Sequence, residues 1–227
     1  VFHTLVGANL TALGGGSLLV NSPYCHAKYL KSAYSLSDLP PDEGIEVACT
    51  GRSNAGKSSA INAVTGVRGL ARTSKTPGRT RELIFFSVGP GRRLVDLPGY
   101  GYAKVPHRLR RHWHRTLDGY FRVRRSLSGL VLVMDSRHPL TDFDELMLNW
   151  SCDRQIPTHV LLTKADKLSR SRAFEVLRRV SSVLKEQQFP VSSQLFSATK
   201  RIGIEEAQAN LSRLFDGLPV EENARIE

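Results

Sequence analysis

Residues 51 to 59 read Gly51-Arg52-Ser53-Asn54-Ala55-Gly56-Lys57-Ser58-Ser59, the G-x-x-x-x-G-K-S spacing of a phosphate-binding loop. Glycines let backbone amides close around an anion as inward-pointing donors. Lys57 would reach the β- and γ-phosphates of a bound nucleotide, and the Ser58 hydroxyl would bind Mg²⁺. Four further stretches carry matching chemistry. Asp96-Leu97-Pro98-Gly99 offers a carboxylate that would hold Mg²⁺ through a bound water. It also offers a glycine whose amide can approach a γ-phosphate because no Cβ intervenes. Gly78-Arg79-Thr80-Arg81-Glu82 offers the Thr80 hydroxyl to complete the Mg²⁺ shell while the γ-phosphate is present, with release of the loop when that phosphate is lost. Thr163-Lys164-Ala165-Asp166 departs from N-K-x-D by Thr for Asn. Its Asp166 would accept from two adjacent N–H groups of guanine, while adenine would leave the charge unpaired. Lys164 would lay its alkyl stem over the base. Phe196-Ser197-Ala198 would present backbone donors to the guanine carbonyl. Taken singly the last two are weak, since T-K-x-D can cap a helix and S-A is a common dipeptide.

These loops must be positioned by regular elements. A strand-like run, Ile45-Glu46-Val47-Ala48-Cys49-Thr50, precedes the first loop, and a helix from Ser59 follows it, its N-terminus adding a positive dipole end at the phosphates. Residues 66 to 81 lack either periodicity, a length usual for functional loops. Leu83 to Val88 and Arg93 to Asp96, with Gly89-Pro90-Gly91 between, predict a hairpin. A basic helix is expected from Pro106 to Tyr120. Gly129 to Asp135 is an unbroken apolar run, a strand buried on both faces. Thr141 is expected to cap a helix carrying Leu146, Met147 and Trp150 inward; Asp142, Asp144 and Glu145 in its first turn match the helix dipole better than a metal cluster. A strand follows at His159 to Leu162, and Leu195 to Ala198 end a last short strand, with helices at Ser171 to Gln187 and Gly203 to Phe215. Alternation of this kind predicts an α/β fold with a parallel sheet covered on both faces. Every chemical candidate then falls at the carboxyl rim of that sheet, where such folds bind ligands. Residues 1 to 20 are expected to be a disordered leader, 21 to 44 a lead-in, 45 to 218 the folded domain and 219 to 227 a flexible tail.

Composition narrows the class. Hydrophobic residues make up 41% of the 227 and charged residues 23%, ordinary for a globular chain. Cys25, Cys49 and Cys152 have no metal-ligand spacing and do not form an even set. This argues for a reducing compartment, hence the cytoplasm. No apolar run approaches the ~20 residues that span a bilayer. Of the net charge of +11, residues 68 to 125 carry +12 and the remainder −1. Lys104, Arg108, Arg110, Arg111, Arg115, Arg122, Arg124 and Arg125 lie there, interleaved with Tyr100, Tyr102, Trp113, Tyr120 and Phe121. The only acid near that cluster in sequence is Asp118, so a phosphate backbone is the natural partner. His107, His112 and His114 lack the i,i+4 spacing of a helical metal site.

As a set these residues resemble the EngB (YihA/YsxC) family of bacterial GTPases. The resemblance is carried by Gly51 to Ser59, Thr73-Ser-Lys-Thr-Pro-Gly-Arg-Thr80, Leu94-Val-Asp-Leu-Pro-Gly-Tyr-Gly-Tyr102, Asp135-Ser-Arg-His-Pro-Leu140 and Leu162-Thr-Lys-Ala-Asp166, and it covers roughly residues 20 to 218. It implies a P-loop Ras-like G domain with a mostly parallel six-stranded sheet and helices on both faces. It further implies GTP and GDP as ligands with Mg²⁺, and hydrolysis to GDP and phosphate. The partner it implies is the precursor of the large (50S) ribosomal subunit, through rRNA and ribosomal proteins, with normal cell division depending on the protein. The Thr of T-K-x-D is usual in that family. A monomer without stable membrane association is expected.

Lys57, Thr80 and Gly99 are the expected catalytic groups. Tyr100 follows Gly99 where a glutamine would orient the attacking water, so unassisted turnover is expected to be slow, ~10⁻⁴ to 10⁻² s⁻¹. Acceleration would come from a partner or from K⁺, which Asn54 could help coordinate; Arg79 and Arg81 are weaker candidates for a built-in arginine finger. Two alternatives stand beside the ribosomal switch: a GTPase whose basic face meets lipid or another protein, and a GTP-binding module with negligible hydrolysis.

Overall fold

The computed structural model describes residues 22–72, 82–99, 116–186 and 191–220. Its centre is a seven-stranded sheet in the order β1-β3-β4-β2-β5-β6-β7. The strands are β1 (Lys28–Ala33), β2 (Ile45–Gly51), β3 (Leu83–Gly89), β4 (Arg92–Asp96), β5 (Leu127–Asp135), β6 (Thr158–Thr163) and β7 (Val191–Leu195). β2, β4, β5, β6 and β7 run parallel, and β3 is antiparallel to both β1 and β4. The sheet therefore has one strand more than the six expected. The extra strand is β1, which lies in the segment read as a lead-in. At the edge of the sheet, with its first four residues exposed, it lacks the apolar alternation that marks a half-buried strand.

Helices cover both faces. They are α1 (Lys57–Thr65), α2 (residues 116–123), α3 (Asp142–Asp153), α4 (Arg170–Glu186) and α5 (Ile204–Phe215). Successive strand residues point to opposite faces, so each strand serves two cores. Val47, Cys49, Val131 and Val133 meet Ile61 and Val64 of α1 and Leu211, Leu214 and Phe215 of α5. The alternate positions Ala48 and Leu130 meet Leu117, Tyr120 and Phe121 of α2. Leu132, Met134, Val160 and Leu162 meet Met147 and Leu148 of α3 and Val176, Val180 and Leu184 of α4. In α3 the inward stripe is Asp144, Met147, Leu148 and Ser151, the i, i+3, i+4, i+7 set. Leu146, expected to face inward, is 37% exposed, and Leu148 takes the core place. Asp144 is the partner of Thr141 in a capping box, accepting from its amide at 2.9 Å and its hydroxyl at 2.8 Å. Among the described residues no cluster of three His, Cys, Asp or Glu could hold a metal ion.

The basic helix expected over residues 106–120 lies outside the described residues as far as 115; residues 116–123 are helical. Its last turn is fastened to the start of β2 through a buried acid. Glu46, with no exposed surface, accepts from Tyr120 Oη at 3.0 Å, Arg124 Nε at 2.8 Å, Arg124 Nη2 at 2.5 Å and Arg93 Nη1 at 3.0 Å. Arg124 also donates to the carbonyls of Pro40 and Pro41. The guanidinium assigned from sequence to an outward basic face is thus an internal group. Its acid lies 78 residues away, beyond any local charge count.

Candidate nucleotide site

β2, β4, β5, β6 and β7 all end at one rim, and the expected loops leave from those ends. The phosphate loop turns through Asn54, whose φ is 66°, and Gly56, whose φ is 104° and which N-caps α1. L side chains rarely adopt such φ values, and Gly56 meets the demand without a Cβ penalty. Gly51 lies against β5: a Cβ there would sit 2.5 Å from the Val133 carbonyl oxygen. At the end of β4, the Leu97 amide donates to the Cys49 carbonyl at 2.9 Å, bringing Asp96 beside the loop. Lys57 Nζ donates to Asp96 Oδ1, and both side chains are buried. Gly99 lies against the loop as well, with the position of a Cβ only 3.4 Å from Ser53 Cα.

The donor set fits Mg²⁺. It consists of hard oxygens, the half-buried Ser58 hydroxyl at the first turn of α1 and the Asp96 carboxylate, with Lys57 as a neighbouring cation. Few protein ligands suit an ion that is completed by phosphate oxygens and waters. When bound, Mg²⁺ supplies charge neutralisation on the transferred phosphoryl group. Gly78, Arg79, Thr80 and Arg81, and likewise Tyr100, lie outside the described residues. Glu82 is exposed just before β3, at the rim, since Ile84 pairs with Asp96.

The base-reading loop departs from the N-K-x-D expectation in an instructive way. Thr163 Oγ1 lies between the carbonyls of Ala55 and Met134, tying the phosphate loop to the ends of β5 and β6. A hydroxyl suffices for that tether. Lys164 adopts φ 58° and donates from Nζ to the Asn54 carbonyl at 2.6 Å and to Asp135 Oδ2 at 2.8 Å. Ala165 is buried, and its amide donates to the Phe196 carbonyl at 3.2 Å. Asp166 Oδ1 accepts from Ser197 Oγ at 2.6 Å, and Ser197 Oγ in turn accepts from the Lys200 amide at 3.1 Å. That bond from Ser197 is the main cause holding the Asp166 carboxyl below its usual range. Ser197 was expected to offer its backbone amide, but that amide donates to the Ile202 carbonyl at 3.0 Å, and it is the side chain that serves the site by orienting the acid. Phe196 has no exposed surface and packs into the core, and its amide, expected to face the guanine carbonyl, donates to the Leu162 carbonyl at 2.9 Å; its carbonyl only anchors the Ala165 amide, and Ala198 is half-buried beside it. Leu97 and Pro98 are buried too, while Arg52, Ser53 and Asn54 remain open or half-open.

Asp135, at the end of β5, is a site residue that sequence reasoning quoted without giving it a role. Burial would raise its pKa. Hydrogen bonds from Arg137 and then Lys164 outweigh that and hold the carboxyl well below the usual range. The available signal was an acid ending a buried strand, the position already used to assign Asp96.

The parallel sheet, the phosphate loop at a strand–helix turn and the base-reading loop on the same rim together define a P-loop GTPase domain. A family model described as 50S ribosome-binding GTPase matches residues 46–164. The chain is 51% identical over 196 residues to the Probable GTP-binding protein EngB of Coxiella burnetii, covering 86% of this chain and 96% of that one. To the protein of the same name from Stenotrophomonas maltophilia it is 56% identical over 183 residues, covering 80% and 92%. Among solved structures, one titled as a probable GTP-binding protein engB superposes with a TM-score of 0.61 at 23% identity, covering 75% of this chain and 98% of that one. A bacterial selenocysteine-specific elongation factor shares the fold at TM-score 0.56 and 20% identity, covering 78% and 29%. The chain belongs to the EngB family of GTP-binding proteins, and its domain is a GTPase.

Proposed function

We propose that this GTPase is a slow nucleotide switch acting on the precursor of the large ribosomal subunit in the cytoplasm, with Mg²⁺ as its metal and normal cell division depending on it. The observation that carries the switch reading is the joining of phosphate and base recognition on one rim. Lys57 and Asp96 meet at the phosphate end, Ser197 holds Asp166 at the base end, and Thr163 and Lys164 tie the two together. Ser58 and Asp96 would hold Mg²⁺, and Gly99 lies close enough to the phosphate loop to sense a γ-phosphate. Asp166, with its proton already surrendered, would accept both guanine N–H groups.

The ribosomal partner is supported by the family model, whose description names 50S binding, and by the +12 charge of residues 68 to 125. Part of that charge is spent internally, on Glu46 and, for Arg92, on Asp216. Arg122 is 67% exposed even with Asp118 alongside, and Arg125 is exposed. Co-sedimentation with large-subunit precursor particles tests the proposal. Binding in GTP that is lost in GDP, and that falls steeply as salt rises, is expected. Equal binding in both nucleotides would remove the switch. Retention on anionic vesicles but not on particles would favour the lipid alternative. Single-turnover hydrolysis that stays undetectable with particles present would leave a GTP-binding module.

A further inference from the structure

We infer that Asp135 is a positioning residue for guanine nucleotide, acting through the Lys164 ammonium to keep the base loop locked to the phosphate loop. The inference rests on the assignment of residues 163–166 as the base-reading loop and goes beyond it. Asp135 ends β5 and forms one wall of a cleft of ≈ 260 Å³ bounded by Ser53, Asn54, Ala55, Arg137 and Lys164. Its carboxylate is held in one plane. Arg137 Nε donates to Oδ1 at 2.9 Å, Arg137 Nη2 to Oδ2 at 2.7 Å and the Arg137 amide to Oδ1 at 3.1 Å. Oδ2 remains turned toward Lys164 Nζ at 2.8 Å, and the same ammonium reaches the Asn54 carbonyl at 2.6 Å.

The exposures say which of these groups is being positioned. The side chain of Arg137 is 44% exposed, that of Lys164 30% and that of Asp135 15%. Arg137 faces solvent and fixes the acid; the acid, mostly withdrawn from water, fixes Lys164. One ammonium thereby bonds two loops, at Asn54 and Asp135, from a third backbone point held at φ 58°. A free lysine side chain would have to lose its rotamer freedom each time a nucleotide bound. Here that ordering is already done by the two bonds at Lys164 Nζ. Charge-assisted hydrogen bonds are strong enough for this task, and their loss should show mainly as faster release.

The test is a double-mutant cycle on the release of a fluorescent N-methylanthraniloyl GDP. Asp135→Asn should speed release by about tenfold, the loss of one charge-assisted bond. In a Lys164→Met background, which keeps the stem and removes the ammonium, the same substitution should change release by less than about twofold. Arg137→Gln should speed release by an intermediate factor that also vanishes in that background. An unchanged rate in Asp135→Asn, or an increment of the same size without the ammonium, overturns the inference. A purely structural defect would produce the second pattern. Nitrogen-15 spectra of the lysine ammonium groups give a reading independent of nucleotide affinity. The Lys164 resonance, protected in the wild type, should be lost in Asp135→Asn, and its persistence overturns the inference as well. Asp166→Asn, assayed in parallel with guanine and xanthine nucleotides, separates the two questions. Retained guanine preference there would sink the base-loop assignment, whatever Asp135 does.

Discussion

At the scale of single residues, the base-reading end of the site depends on orientation more than on residue type. Asp166 alone could serve many purposes at a loop; the 2.6 Å bond from Ser197 aims one oxygen, and the other lies 3.6 Å from Lys167 Nζ. Asp166→Asn should therefore shift preference from GTP toward xanthosine triphosphate, checked by competition binding, because an amide reverses one donor–acceptor match. Ser197→Ala should weaken guanine nucleotide about fivefold while keeping the preference for guanine over adenine, since the acid remains but its aim is lost. Isothermal titration with GDP and ADP distinguishes the two outcomes; a loss of preference in Ser197→Ala would mean that Ser197 reads the base itself. The residue types of this end were legible in the chain. Two relations were not. Thr163 ties the phosphate loop through a hydroxyl, and Asp135 steers Lys164 from another strand. Both are contacts between segments with no neighbouring positions in sequence.

At the scale of elements, periodicity located the buried strands and helices because each carries its own burial pattern. β5 is apolar without interruption from Gly129 to Met134, since α5 and α1 cover one face and α2, α3 and α4 the other. β1 escaped the same reading because its position at the sheet edge is set by pairing with β3, not by its own side chains. The joint between α2 and β2 is also a product of assembly. Arg124, with its side chain 4% exposed, and Glu46 at 0% form a pair that would be costly to leave half-made. Arg124→Met should lower unfolding free energy by about 3 kcal/mol in urea denaturation, since Glu46 would keep only Arg93 and Tyr120. A loss below about 1 kcal/mol would show that those two suffice.

At the scale of the whole molecule, acid sensitivity and ionic response both follow from where charge is placed. His159, fully inside β6, bonds Ser192 Oγ at 2.6 Å and donates from Nε2 to Gln194 Oε1 at 2.8 Å, and burial pushes its pKa down to about 4 despite that bond to Gln194. A folded pKa below the unfolded value means that the unfolded chain takes up the proton first. His159 therefore costs nothing above about pH 6.5, and stability is lost as pH falls from there toward 4, by as much as ~3 kcal/mol. His159→Asn should flatten that part of the stability–pH profile relative to wild type; parallel profiles would exclude the residue as the cause. A response to K⁺ is expected of Asn54, which is exposed and held at φ 66° in the phosphate loop. Turnover should be faster in KCl than in NaCl at equal ionic strength, and equal rates would remove K⁺ from the mechanism. Among the described residues no helix is long and apolar enough to cross a membrane.

Sequence alone determined the chemistry at each strand end. A phosphate loop, an acid after a buried strand and a T-K-x-D segment are local patterns whose spacing is part of their function. The tertiary structure decided which charges remain outward. Arg124 and Arg93 counted as surface charge until Glu46 was found beneath them, because an ion pair forms across space between residues that the chain keeps far apart. It also decided how the loops cooperate. Lys57 meets Asp96, and Lys164 joins Asn54 to Asp135, only once five parallel strands have ended at one rim.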